Sequence, residues 1–322
     1  LTEYVLRECE KHVRQVEIWI PISHFYIPRP FVFGKVTFRA ITKTMMDEWE
    51  ASELVKVSTP EEASAVKTGM ERRRRRFQGL ATAIMKIEAE ADRAHEIAYE
   101  ETDKTLSLLR FFSPAMLDPR KTSYSAPLGR QHEDSYDYLL VKDGKIIGHT
   151  AGLVDKSSPI WNFTLEDQQD WATELRILHG LLLAKELTDF QEMVINGIIL
   201  FSRSLLAKEI SDKLVYMLVA LESVFLKDTG EFIQDAISLR MAYMQQISVD
   251  ARKAIVTDVK AVYKLRSSFV HHGRTISVDE SALISRFMRH AWLSLAASIL
   301  QAATPITRHD FFNDLENRRL AG

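Results

Sequence analysis

Two residue types that often do chemistry near neutral pH lie close together near the end of one amphipathic segment. Arg266 is followed by His271 and by the adjacent His272. Arginine keeps its positive charge at any physiological pH, whereas histidine exchanges a proton near neutrality. The spacing alone is a weak signal, because Arg7 and His12 have it too. The elements around the pair must therefore decide whether it forms a site.

The segment from about 250 to 272 has the pattern of an amphipathic helix, which Gly273 ends. Its apolar positions at helical spacing are Ile255, Val259, Val262 and Phe269. With a turn of about 100° per residue, Arg266 falls inside this apolar stripe, so the pattern predicts that it faces inward. An inward-facing cation needs a counter-charge, and we expect Glu222 to provide it.

Glu222 interrupts the most apolar run of the sequence, residues 214–226. Such a run predicts a helix buried in the middle of its domain, where an unpaired carboxylate costs several kcal/mol. The next predicted helix, about 231–246, places Arg240 on its apolar line as well. The segments 168–185 and 187–205 and the one after Ser277 carry further apolar stripes, which are typical of helices packed in an up-down bundle.

The first half of the chain has a different pattern. Residues 16–22 alternate in the manner of a strand, and residues 31–38 are aromatic and β-branched, which also favours strands. Asp143-Gly144 separates two apolar runs, which indicates a hairpin. Residues 61–112 predict one long helix or two in succession. We therefore expect a mainly α protein: an α+β domain with a small β-sheet at 1–160, with a sensing or regulatory role, a helical bundle at 161–310 and a C-terminal tail at 311–322.

A basic run stands out in this first half. One hypothesis is an RNA-binding patch in which several guanidinium groups contact phosphates; the other is a solvated helix face balanced by the acidic residues downstream. The run consists of Arg72, Arg73, Arg74, Arg75 and Arg76.

Composition narrows the possible classes of function. The net charge is -2, from 42 Lys+Arg and 44 Asp+Glu, so no global basic field predicts nucleic-acid binding. A single cysteine, Cys9, excludes a disulfide within the chain and a cysteine-based zinc cluster, which suits a cytoplasmic protein. The ten histidines form no HxxxH or HxH pair, so we expect no metal and no cofactor. No apolar run approaches the roughly 20 residues that cross a bilayer, so we expect no membrane association.

With these elements in place, residues 211–303 resemble the Apea-like branch of the HEPN superfamily. The resemblance is carried by Ala220-Leu221-Glu222, by Ser238-Leu239-Arg240 and by the run from Val262 to His271, which resembles the family's motif of an arginine and a histidine. One departure is His272, which occupies the place where the family often has a glycine.

The resemblance implies an all-helical domain that dimerises and cleaves RNA without a metal, as a toxin or anti-phage defence effector. The ribose 2′-hydroxyl would attack the adjacent phosphate. By this resemblance His271 is the general base or acid and Arg266 holds the phosphate, with Glu222 orienting Arg266. Accessory roles fall to His272, Ser267 and Arg240.

Helix geometry limits this assignment. Two side chains five positions apart on an ideal helix diverge by about 140°. Either the helix end unwinds or the histidine comes from a second protomer, so we expect a homodimer through the bundle. The alternative is a non-catalytic HEPN module for dimerisation, RNA binding or adaptor function, with a regulatory partner at the N-terminal domain.

Overall fold

The computed structural model describes residues 13–128, 135–142, 145–153, 161–228, 230–245, 248–272 and 280–321. These residues are mainly helical, with a small antiparallel sheet in the N-terminal part. The chain divides into two compact units: Leu1–Asp103 with Tyr124–Thr164, and Lys104–Ser123 with Leu165–Gly322. In the described part, no helix has the length and apolar character needed to cross a membrane.

The first unit is built on a five-stranded antiparallel sheet. Its strand order is β3-β4-β5-β1-β6. The strands are β1 (Arg14–Ser23), β3 (Phe31–Phe33), β4 (Val36–Ala40), β5 (Ala81–Ala89) and β6 (Ala126–Pro127). Two further pairs complete the unit: β2 (Phe25–Tyr26) lies parallel to β9 (Trp161–Asn162), and β7 (Ser135–Lys142) lies antiparallel to β8 (Lys145–Leu153). The predicted strand at 16–22 and the predicted hairpin are confirmed, although the turn residues 143–144 lie outside the described residues. Residues 31–38 form two short strands that pair with each other, β3 and β4, with a turn at 34–35 between them.

The helical prediction for 61–112 is wrong at its centre, where β5 is a strand. The first half of β5 is largely buried, at Ala81, Thr82, Ala83 and Met85, and the strand pairs with β1 over its whole length. The helical spacing of Ile84 and Ile87 was therefore coincidental, because cross-strand pairing with β1 decided the local structure. Gly79, with a φ of 88°, turns the chain into this strand, a conformation that favours glycine.

Three helices lie between the strands of this sheet in chain order: α1 (Lys43–Leu54), α2 (Pro60–Phe77) and α3 (Ala91–Arg110). Thr59 and Glu62 form a reciprocal capping box at the start of α2. Met46 of α1 and Met70 of α2 are buried together with Ile41 in a local core. This contact fixes which face of α2 remains exposed.

The second unit is a helical bundle. Its helices are α4 (Leu165–Asp170), α5 (Ala172–Leu183), α6 (Asp189–Leu206), α7 (Ile210–Phe225), α8 (Ile233–Met244), α9 (Val249–His272), α10 (Ser281–Gln301) and α11 (Arg308–Ala321). The predicted apolar stripe of α6 is fully buried: Phe190, Val194, Ile198, Phe201 and Leu205. The apolar stripes therefore predicted the core positions of the bundle well.

Two segments belong to this bundle although the sequence did not place them there. Residues 311–321, expected as a tail, are most of α11, and Phe311 stacks on Phe190 with ring centroids 4.5 Å apart. Residues 104–123 contribute Phe111, whose ring stacks on Trp292 at 5.5 Å and whose carbonyl accepts a 2.9 Å hydrogen bond from the indole of Trp292. The core of the bundle thus includes residues 104–123, which separate the two stretches of the first unit in the sequence, as well as the C-terminal helix.

Candidate functional site

Helix α9 carries the candidate site on its C-terminal half. Ile255, Val259 and Val262 are fully buried, which confirms these positions of the predicted stripe, whereas Phe269 is half-buried. Arg266 lies one turn further along the same helix and is half-buried. Ser267 follows it and is exposed. The helical backbone continues through His271 to His272, but the side chains of both histidines, and Gly273, lie outside the described residues.

Glu222, on the last turn of α7, contacts α9 through Tyr263. The Tyr263 hydroxyl donates a hydrogen bond of 3.1 Å to Oε1 of Glu222, and Tyr263 is only 7% exposed. Burial, together with the charge of Glu222, raises the pKa of Tyr263, so its hydroxyl remains a donor throughout the physiological range. Glu222 itself is half-buried rather than enclosed, since it lies near the helix end.

The expected ion pair between Arg266 and Glu222 is not formed in the described part of the chain. The carboxylate of Glu222 instead accepts the hydrogen bond from the Tyr263 hydroxyl. The positive charge of Arg266 nevertheless acts on Tyr263, lowering its pKa against the stronger effects of burial and Glu222. The structure therefore brings together Glu222, Tyr263 and Arg266. Sequence reasoning gave Tyr263 no role, although a tyrosine on an apolar stripe needs a hydrogen-bond partner, which was an available signal.

Arg240 belongs to a different cluster. Its two terminal nitrogens donate to the carboxylate of Glu231 at 2.7 and 2.5 Å, and one of them also donates to the Phe225 carbonyl at 2.8 Å. Its guanidinium lies 4.8 Å from the ring centroid of Phe312. The hydrogen bonds with Arg240 lower the pKa of Glu231 to about 2. The charge of Arg240 is thus compensated, and its contacts hold the C-terminal end of α7.

A second group of charges that the sequence did not predict joins α9 to α10. Arg286 donates from two nitrogens to the carboxylate of Asp258, both at 2.8 Å. The Nε2 atom of His290 lies 3.8 Å from the same carboxylate, and burial lowers the pKa of His290. Because Arg286 already binds Asp258 with both donors, we interpret this group as a link between the two helices.

The basic run of the first unit lies on the last two turns of α2, and its arginines are not equivalent. Arg74 pairs with Asp47 at 2.7 Å and with Glu50 at 2.6 Å, both on α1. Arg73 lies over the ring of Trp49, 4.8 Å from the centroid. The remaining three are exposed: Arg72, Arg75 and Arg76.

Within the described ranges, no group of three or more His, Cys, Asp or Glu side chains is placed to hold a metal ion. Comparisons with models of protein families, with curated proteins and with solved structures gave no match to this chain. The side chains around Arg266 are therefore the basis on which a function is proposed below.

Proposed function

We propose that this protein is a metal-independent endoribonuclease whose site lies at the C-terminal end of α9. The proposal combines the resemblance of residues 211–303 to HEPN ribonucleases with the surroundings of Arg266. Arg266 would bind the scissile phosphate, and His271 would transfer the proton. A role as a toxin or defence effector belongs to the same proposal.

The observation that carries this proposal is the state of the Arg266 guanidinium. It is half-buried, and among the described residues no carboxylate forms an ion pair with it. Arg240 on α8 and Arg286 on α10, by contrast, each have a carboxylate partner. A partly desolvated guanidinium with free donors favours an anion, and the planar donor pair suits a phosphate group. Tyr263, by holding Glu222, helps to keep those donors available.

The reaction would follow from these groups as a transesterification. The general base removes the proton of the ribose 2′-hydroxyl, the 2′ oxygen forms a bond to the adjacent phosphorus, and the bond from phosphorus to the 5′ oxygen breaks. A general acid returns a proton to that leaving oxygen, which leaves a 2′,3′-cyclic phosphate and a 5′-hydroxyl. Arg266 stabilises the charge that develops on the phosphorane. His271 and His272 are the candidates for the two proton transfers.

The experiment is a single-turnover cleavage assay of labelled RNA in EDTA. We expect Arg266→Ala and His271→Ala each to reduce the rate by about 100-fold or more, the usual effect of losing charge stabilisation or general acid–base catalysis. The matched controls are Arg203→Ala and His309→Ala, which remove exposed side chains of α6 and α11 and should retain the wild-type rate.

Circular dichroism of each variant shows whether it is folded, and so distinguishes the loss of catalysis from unfolding of the protein. If folded Arg266→Ala cuts RNA as fast as the control variants, the proposal is wrong. If the wild-type protein binds RNA in a salt-dependent way but forms no product, the alternative of a non-catalytic RNA-binding or adaptor module is correct.

A further inference from the structure

The exposed face of α2 holds three arginines that have no carboxylate partner in the described part of the fold. One of them, Arg76, lies over the ring of Phe77, 5.3 Å from its centroid. On a helix of about 100° per residue, Arg72, Arg75 and Arg76 fall within about 100° of one another. They lie on the side of α2 opposite Met70, which is fully buried. The three residues are exposed and lie on one face of α2.

The acidic residues downstream do not neutralise this face. In the described residues, Glu96 pairs with Arg93 of its own helix, and no carboxylate forms an ion pair with Arg72, Arg75 or Arg76. Within this run and among the described residues, Arg74 alone forms ion pairs, with Asp47 and Glu50. The three exposed arginines are therefore solvated, as the second hypothesis expects, but they lack the balancing carboxylates that it assumes.

Three like charges on one helical face lower stability slightly. Cations at i, i+3 and i, i+4 repel one another, and the helix C-terminus offsets part of this repulsion. A polyanion that contacts all three would remove the repulsion. Each phosphate neutralised would also release condensed counterions.

Trp49 of α1 adds a flat surface beside Arg73 of the same basic run. It is 38% exposed, and the guanidinium of Arg73 lies over its ring. Stacking of bases on aromatic rings and on guanidinium planes, next to basic side chains, is typical of proteins that bind single-stranded nucleic acid. An anionic membrane would need the charges but would not need a planar stacking surface.

We propose that Arg72, Arg75 and Arg76 bind the phosphate backbone of single-stranded RNA, with a base stacked against Trp49 and Arg73. This site lies in the first unit and does not depend on the proposed cleavage at Arg266. It assigns the first unit a role in RNA binding.

The probe is a labelled 2′-O-methyl oligouridylate of about 12 nucleotides, which resists cleavage by 2′-hydroxyl attack. Its affinity for the protein is measured by fluorescence anisotropy between about 50 and 200 mM salt. The slope of log affinity against log salt changes by about 0.7 per phosphate contact on a single strand. The variant with Arg72→Ala, Arg75→Ala and Arg76→Ala should therefore lose about 2 from the magnitude of that slope. Trp49→Ala should weaken binding by about 5- to 100-fold and leave the slope unchanged.

The matched control is Arg74→Ala, which removes an arginine from the same run but one that faces Asp47 and Glu50. We expect it to lower the melting temperature and leave the slope near the wild-type value. Equal slopes for the wild-type protein and the triple variant would overturn the proposal. So would binding to phosphatidylserine vesicles that exceeds binding to the oligonucleotide and is lost in the triple variant.

Discussion

Arg240 and Arg266 show how two arginines with the same sequence signature can differ in the folded chain. Each lies on the apolar line of its helix, and both were predicted to face inward. Arg240 has Glu231 as a partner nine positions earlier, whereas Glu222 near Arg266 is held by Tyr263. The position of a residue on a helix face follows from helical periodicity, but its counter-charge depends on which carboxylates the tertiary fold brings near it.

The pair of Glu231 and Arg240 should make stability depend on pH in the acid range. Arg240 holds the pKa of Glu231 at about 2, below its usual value of 4.5. The ionised carboxylate therefore stabilises the fold above about pH 4.5, and this contribution is lost as pH falls towards 2. We expect Glu231→Gln to reduce the free energy of unfolding by about 2 kcal/mol at neutral pH.

Urea unfolding at several pH values measures this effect. The difference between wild type and Glu231→Gln should shrink as the solution is acidified. Glu186→Gln, at an exposed position between α5 and α6, is the control and should change stability little at any pH. A difference that stays constant down to the lowest pH would contradict the assigned role of Arg240.

At the scale of elements, the close approach of α6 and α7 depends on Gly197. A Cβ at this position would lie 2.3 Å from Cγ2 of Val224 on α7. The two helix backbones can pack at this distance because residue 197 has no side chain.

Gly197→Ala should therefore destabilise the bundle by about 1 to 3 kcal/mol, as overpacking usually does. Gly180→Ala on α5 is the matched control, because a Cβ there meets no atom within 4 Å. The control should be neutral or stabilising by up to about 1 kcal/mol, since alanine favours helix more than glycine. The measurement compares the melting temperatures of the two variants in thermal unfolding. Similar melting temperatures would contradict the close contact between α6 and α7.

The elements that sequence predicted best are those whose stability comes from one continuous apolar stripe. Helix α6 and helix α10, with Ile284, Phe287 and Leu295 fully buried, are examples. Strand β5 was missed because its alanine-rich segment carries no strong strand preference, and its pairing with β1 depends on residues about 70 positions away. Helix α11 was missed because its inner face is short and its surface is highly charged.

At the scale of the whole molecule, the sequence predicted two parts of different class but not the path of the chain between them. Residues 104–123 lie in the second unit, where Ser123 donates a backbone hydrogen bond of 2.7 Å to Leu205. The backbone carbonyl of Lys121 accepts a hydrogen bond from the side-chain amine of Lys213. Burial lowers the pKa of this amine to about 8. Contacts between segments so distant in sequence leave no local pattern. For the candidate site, the helices and Arg266 were predictable, but the contact between Tyr263 and Glu222 was not.

The proposed dimer makes a prediction that concerns two chains. Helix α9 continues to His272, and positions five apart on an ideal helix, such as 266 and 271, differ in direction by about 140°. If each site combines Arg266 of one protomer with His271 of the other, a mixed dimer of Arg266→Ala and His271→Ala chains keeps one complete site. Co-expression with two affinity tags isolates that mixed dimer. We expect it to recover about half of the wild-type rate, whereas inactivity of a mixed dimer that forms would show that both groups act within one chain.

The central claim is cleavage of RNA by 2′-hydroxyl attack at Arg266, and the most direct measurement is the chemistry of the product ends. Wild-type protein, Arg266→Ala and Arg203→Ala are each incubated in EDTA with an RNA and with its 2′-O-methyl analogue, and the products are analysed by mass spectrometry. We predict 2′,3′-cyclic phosphate ends from the RNA with wild type and Arg203→Ala, a yield of these ends lower by about 100-fold or more with Arg266→Ala over the same short incubation, and an intact analogue throughout. Cleavage of the analogue, or cyclic phosphate ends formed equally well by Arg266→Ala, would contradict the claim.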